Sequence, residues 1–349
     1  MDKITTPSSP TILGGNEAEI RKALARFEAI PVDWDLSSEP PAPKRAQQRT
    51  IAQAVSLAGP GTFLGKAQRR ITLKPTELEG WWFNRSDLSE SLPVGVSIHN
   101  VWTTGDIVSN IVLRSGSPHN YIRMVEHIIA LRLGLDVDNL IIEMDSGDPP
   151  LFDSGSLDLV NALHEAGRVD VDQPVSYVTV KEPVMIGGPG GSFLMIHPAL
   201  PGETALTLDC AVHFKTAIGL QRIQFPLNQD LFQYGSEART NTSVAKMFYC
   251  RTIGKLFADI RNLGYNRNNV LIAGRWGYYN QPRLIHNHKS LEAVWHRAVL
   301  DLVAALALIE KGRLAGHVTS YKAGHRLDVE LVQKLYKHDL IVPVPGVSD

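Results

Sequence analysis

Twelve histidines are unevenly spread along this 349-residue chain, and a few stand beside acids with which they could do chemistry. In Met124-Val125-Glu126-His127-Ile128-Ile129 a carboxylate and an imidazole interrupt an apolar run. In such surroundings both cost free energy unless something pairs with them. Downstream, Glu292-Ala293-Val294-Trp295-His296-Arg297-Ala298-Val299-Leu300-Asp301 sets a His and an Asp about one helical turn apart, and Tyr321-Lys322-Ala323-Gly324-His325 adds another His. A His and an Asp so spaced can reach a borderline divalent cation such as zinc. His127 would make a third ligand and leave a fourth position for water, the open arrangement of a hydrolytic centre. Spacing alone does not decide this, because any histidine-rich chain offers such triplets. The plainer readings are a satisfied core His beside a solvent-facing Glu, with His286 and His288 as loop residues.

The elements that must position these residues follow from periodicity. Met124, Ile128, Leu131 and Leu135 fall at three- and four-residue steps and predict a helix with one apolar face. Short β-branched segments with period-two alternation precede it at 70–74, 94–98 and 107–113, and a strand at 139–144 and a helix at 157–166 follow. A second unit opens at 176–180 and continues through strand-like runs at 192–196 and 204–214. The glycine-rich stretch 187–191 reads as a hairpin connection, since it lacks the Lys-Ser/Thr ending of a phosphate loop and precedes a strand. Helices are expected around 243–263 and 291–311. Strands followed by helices without regular alternation predict an α+β fold. Residues 1–48 read as an N-terminal extension with a proline-rich linker, Asn16 capping a short helix through Ile30. Residues 49–172 and 173–349 read as two domains.

Composition narrows the functions. Hydrophobic residues at 44% and charged residues at 20% describe a soluble globular chain. A net charge of −1 gives no global field for nucleic acid or an acidic membrane surface. Two cysteines exclude a disulfide framework and a cysteine-rich zinc module, and they suit a reducing compartment. The N-terminus lacks the apolar core of a secretory signal, and no apolar run is long enough to span a bilayer, so the expected location is cytoplasmic. Oligomeric state is not legible.

Four segments carry a resemblance. Val125-Glu126-His127 followed by Gly134-Leu135-Asp136-Val137-Asp138-Asn139 resembles the first signature of the UDP-3-O-acyl-N-acetylglucosamine deacetylases of lipid A biosynthesis, the LpxC family. Cys250-Arg251-Thr252-Ile253-Gly254 resembles that family's Ala-Arg-Thr-Phe-Gly, residues 292–301 its Glu-Phe-Val-Arg-His-Lys-Ile-Leu-Asp, and 321–325 its Tyr-Lys-Ser-Gly-His. The four occur in the family's order. The resemblance implies two α+β sandwich domains, each a sheet packed on helices, with the active site between them. It further implies one zinc per chain held by His127, His296 and Asp301, and an amino-sugar or nucleotide-sugar substrate. By the same resemblance Glu126 is the general base, Thr252 donates to the oxyanion, and His325 stabilises charge and protonates the leaving amine. Arg297, where the family has a Lys near the substrate diphosphate, and Lys322 are the expected substrate cations. Phe63, Leu64 and Ile253 are expected around the substrate's acyl group.

The departures are equally specific. Four residues separate His296 from Asp301 where the family has three, and an offset of five turns side chains about 140° apart on a regular helix. Either a π-bulge absorbs the extra residue, or Asp301 points away and another group such as His288 completes the site, or no metal binds. Ala305 stands where the family has an Asp that helps keep its catalytic His charged. Gly59-Pro60-Gly61-Thr62-Phe63-Leu64-Gly65 replaces Gly-Val-Gly-Leu-His-Ser-Gly, and Ile253 replaces a Phe. Three functions remain open: the lipid A enzyme itself, a paralogous zinc amidase with another N-acyl substrate, and an inactive relative that binds a ligand or partner.

Overall fold

The computed structural model describes residues 9–63, 67–105, 109–243 and 266–347. The chain is mixed α+β, with two main sheets facing one another across a layer of helices. The first is five-stranded, in the order Val55–Pro60, Gln68–Lys74, Leu140–Met144, Trp81–Arg85 and Val94–Gly95. Alternation places Ile71, Leu73, Trp81, Phe83, Leu140 and Ile142 on its inner face, all essentially fully buried. The second is seven-stranded and runs Thr11–Gly14, Val184–Gly188, Ser192–Pro198, Gly316–Tyr321, Leu206–His213, Leu220–Pro226 and Trp34–Asp35. Residues 187–191 close a hairpin in it through Pro189–Gly191, as expected, with Gly190 and Gly191 at positive φ.

Residues 9–48, expected as an extension, pack into the second sheet. Thr11–Gly14 and Trp34–Asp35 form the two outer strands of the second sheet, each parallel to its neighbour. Between them helix α1 (Glu17–Glu28), capped by Asn16 Oδ1 on the Glu19 N–H, buries Ile20, Ala23 and Phe27 against Met185, Phe193 and Tyr321. Burying Phe27 and Ile20 contributes about 1.5–3 kcal/mol each, ample reason for the segment to dock.

Helix α2 (Glu126–Gly134) starts two residues later than the periodicity predicts. Met124 has φ 55° and lies outside the helix, so Glu126 is its first residue. Helices α3 (Leu157–Ala166) and α4 (Gln229–Ser236) flank it. At Gly134 any side chain would collide with the Phe232 ring of α4, since a Cβ there would sit 2.1 Å from its Cδ2. Helix α5 spans 292–306 in three parts: α-helical Glu292–Trp295, π-helical His296–Leu302 and α-helical Val303–Leu306. It is buried nearly all round and packs directly on α2. Helix α6 (His325–Lys337) follows the last strand of the second sheet. Asp136 and Asp138, from the turn after α2, tie these layers together. Arg313 pairs with both, and Arg45 forks onto Asp138 at 2.8 and 3.1 Å. Among the described residues no helix is long and apolar enough to cross a membrane.

Candidate active site

The site lies where the N-terminus of α2 meets the π-helical turn of α5 and the first residue of α6. Glu126 is 2% exposed, so the solvent-facing reading fails. Its Oε2 accepts the Ile111 N–H at 3.0 Å, and the positive end of α2 favours a carboxylate at this first position. His127 Nε2 faces His296 Nε2 at 3.2 Å. His325 Nε2 stands 3.5 Å from Asp301 Oδ1 and 3.9 Å from Glu126 Oε1. Asp301 does turn toward the site: its Oδ1 lies 3.4 Å from His296 Nδ1. The π-helical run His296–Leu302 makes this possible, because a widened turn brings residues five apart onto the same side.

Electrostatics divide these groups by role. Burial raises the Glu126 carboxyl above its ordinary range, against the opposing pull of His325 and the Ile111 N–H. Burial, reinforced by His296, lowers His127 to about 3, so its imidazole is neutral with a free lone pair at physiological pH. Burial works against a charged His325, but Asp301, Glu126 and Asp328 outweigh it and raise that pKa. Burial likewise opposes charge on Asp301, yet His296, His325 and Arg297 hold its carboxyl well below the usual range.

One hydroxyl beside the paired imidazoles escaped the sequence reading. Thr240 Oγ1 lies 3.1 Å from His296 Nε2, beside His127. It belongs to Ala238-Arg239-Thr240, which matches the Ala, Arg and Thr of the Ala-Arg-Thr-Phe-Gly signature, whereas Cys250-Arg251-Thr252-Ile253-Gly254 matches its Arg, Thr and Gly. Arg239 confirms the placement physically: its guanidinium and backbone N–H converge on Glu292, the first residue of α5, at 2.7–3.0 Å. The expected Thr252, together with Ile253 and Leu64, lies outside the described residues.

Arg297, expected as a substrate cation, has a side chain 4% exposed and directed at Asp328, a buried guanidinium needing a buried carboxylate. Lys322 is exposed at φ 53° and donates from Nζ to the Gly190 carbonyl at 2.6 Å. Phe63 is buried under the Arg123 guanidinium, 3.7 Å from its ring centre. Thr62 instead lines the cavity beside His127, with Met124, Ile128, Leu151, Leu159 and Thr240. His286 stacks on Trp34 at 4.2 Å and, with His288, belongs to a small hairpin.

Among the described residues no three His, Cys, Asp or Glu side chains form a ready-made metal cage. Two imidazole Nε2 atoms nevertheless converge, and Asp301 Oδ1 is buried without a hydrogen-bond donor. Two converging imidazole nitrogens with a buried carboxylate beside them suit zinc in donor chemistry. The third donor sits against the far nitrogen of His296 rather than between the two rings.

The chain is 28% identical over 298 residues to the UDP-3-O-acyl-N-acetylglucosamine deacetylases of Brucella ovis and Brucella canis, an alignment covering 83% of this chain and 95% of each of theirs. The family model described as LpxC, UDP-3-O-acyl N-acetylglycosamine deacetylase, matches residues 48–337. With the first sheet, five of the seven strands of the second, all of the site's described residues and most of the chain inside that match, the chain belongs to the LpxC family.

Proposed function

We propose that this chain is a zinc-dependent deacetylase that hydrolyses the N-acetyl amide of an amino sugar, UDP-3-O-acyl-N-acetylglucosamine being the first substrate to test. The observation that carries the reading is the convergence of Glu126, His127, Thr240, His296, Asp301 and His325 on one buried spot in a chain of this family. Amide hydrolysis needs a base for water, a donor for the developing oxyanion and an acid for the departing amine. Glu126, with its raised pKa, is the base. Thr240 presents a hydroxyl beside the paired imidazoles and serves as the oxyanion donor. His325, kept cationic by Asp301, Glu126 and Asp328, delivers the proton to the leaving nitrogen. Zinc held by His127, His296 and Asp301 would polarise the carbonyl and bring the pKa of bound water towards about 7. The enzyme would work in the cytoplasm on a soluble substrate.

A second reading, a zinc amidase with a different N-acyl substrate, is favoured by Arg297. The cation that the family aims at a diphosphate is here buried against Asp328, which weakens the case for a nucleotide. Acetate release from the UDP-linked sugar is the test of the first reading. Release only from an N-acyl sugar without the nucleotide favours the second. Purified protein should carry about one zinc per chain, lost in His127→Ala. Zinc-free protein after zinc-replete purification would overturn both.

A further inference from the structure

Arg297 follows His296 by one residue inside the π-helical turn, and its guanidinium reaches across to two other elements. Nη1 donates to Asp328 Oδ2 at 2.7 Å, Nη2 to Asp328 Oδ1 at 2.5 Å, and Nη2 also to Ser320 Oγ at 3.1 Å. All three residues are buried: Arg297 is 4% exposed, Asp328 1% and Ser320 0%. Ser320 precedes the Tyr321-Lys322-Ala323-Gly324-His325 turn, and Asp328 stands one helical turn beyond it, so a single guanidinium fastens both ends of the segment that delivers His325. The start of the turn is held to the sheet, by Tyr321 between its neighbouring strands and by the Lys322 N–H on the Ala211 carbonyl at 3.0 Å, whereas the described contacts of its far half, Ala323-Gly324, leave His325 to be placed from α6. Lys322 lies at positive φ, and a Cβ built on Gly324 would meet nothing within 4 Å. Ala305 on α5 offers no carboxylate, and the buried acid comes from α6 instead.

We infer that Arg297 and Asp328 are a positioning pair: the fork clamps the His325 turn onto the helix bearing His296 and so sets where His325 stands relative to Glu126 and Asp301. This rests on the deacetylase reading for its catalytic meaning, though not for its geometry. His325 Nε2 is 3.5 and 3.9 Å from its two carboxylates, separations at which a small displacement changes whether a hydrogen bond can form. A lysine at 297 would keep the charge but not reach Ser320 and both oxygens of Asp328 at once, since only the planar guanidinium presents that fork.

The test compares Arg297→Lys and Asp328→Asn with Asp209→Asn, which breaks the buried Asp209–Arg222 pair away from the site. Steady-state acetate release from UDP-3-O-acyl-N-acetylglucosamine is measured alongside the imidazole NMR resonance of His325, assigned with His325→Gln. Loss of a positioning partner should lower kcat about 10- to 100-fold with little change in KM. The His325 resonance should move in both site variants and stay put in Asp209→Asn, whose kcat should remain at the wild-type level. A raised KM with unchanged kcat would mean that Arg297 touches substrate and would overturn the inference, as would an unmoved His325 resonance. If Asp328→Asn fails to fold, Arg297→Lys carries the comparison. If wild-type protein releases no acetate, the deacetylase reading falls, and the resonance alone decides the pair: displacement supports it and constancy rejects it.

Discussion

Glu292→Gln should be one of the most damaging single-atom changes in this chain. Glu292 is fully buried and accepts four hydrogen bonds: from the Arg239 N–H at 3.0 Å, Arg239 Nε at 2.7 Å, Arg239 Nη2 at 3.0 Å and the Arg283 N–H at 2.8 Å. An amide has one acceptor oxygen, so it can keep the bonds of one carboxylate oxygen and must turn its NH2 toward the donors of the other. It also leaves the Arg239 guanidinium, 4% exposed at its side chain, without a counter-charge. Breaking a buried pair from one side costs about 3–5 kcal/mol. Unfolding entropy near 2.1 cal/mol/K per residue, over 349 residues, gives about 0.7 kcal/mol per degree, so Tm should fall by about 4–7 °C. Calorimetry at fixed protein and metal concentration measures this. A cycle with Arg239→Met should show coupling of about 0.5–3 kcal/mol, since the two single changes remove one interaction. A loss below about 1 kcal/mol for Glu292→Gln, or strict additivity in the cycle, would refute the reasoning. Because Arg239 precedes Thr240, activity should fall further than stability alone explains.

Other expectations follow from the same geometry. Thr240→Val keeps the β-branched shape and removes the hydroxyl, so kcat for acetate release should drop by about 10²–10³ with KM nearly constant; a larger loss in Thr252→Val than in Thr240→Val would return the oxyanion role to Thr252. Cys210 is fully buried, and burial pushes its thiol up to about 12, so in a Cys250→Ser background iodoacetamide at pH 8.5 should label it only on unfolding. Since that folded pKa exceeds the unfolded one, the associated stability is complete below about pH 8.5 and declines as pH rises towards 12; Cys210→Ala should therefore show a shallower loss of Tm than wild type between pH 9 and 10. Deleting Ala298 removes the extra residue of the π-helical turn and should lower Tm several-fold less than deleting Ala304, which shifts the register of a helix buried on all sides. Equal losses would mean that the π turn is not where the insertion is absorbed.

Much of this arrangement was legible because its signals are local. The hairpin at 187–191, the helix at 157–166 and the strand at 139–144 each follow from turn residues or alternation, and all three are present. Glu126 and His127 stand out as polar groups in an apolar run and His296 and His325 as members of short motifs, and the fold brings the four together. What was not legible depends on contacts across the sequence. The N-terminal segment has its own cap and a polar linker, so nothing local shows that Phe27 meets Phe193 and Tyr321. Met124 fits the helical period but takes a left-handed conformation, which periodicity cannot register. Thr240 was missed because two Arg-Thr pairs lie twelve residues apart, and what ties the first to the site, the Arg239–Glu292 bond and the Thr240–His296 contact, spans distant parts of the sequence. Arg297 looked like a free cation because its partner, Asp328, is on another helix.

The extra residue between His296 and Asp301 explains more than the ligand spacing that first drew attention to it. Helix α5 cannot slide to absorb an insertion: Trp295, Val299, Leu302 and Leu306 are all buried, so moving either flank by one residue would re-register the core. The distortion is therefore confined to the seven residues His296–Leu302, where the widened turn takes up one extra residue. Within that turn His296 and Asp301 face the site together while Arg297 is carried toward α6. There a guanidinium would be stranded without a carboxylate, and Asp328 supplies it. A helix that keeps its two site residues aligned in this way turns its arginine onto Asp328, three residues beyond His325. The insertion, the buried arginine and the acid on α6 are in this sense one structural change, and they stand or fall together.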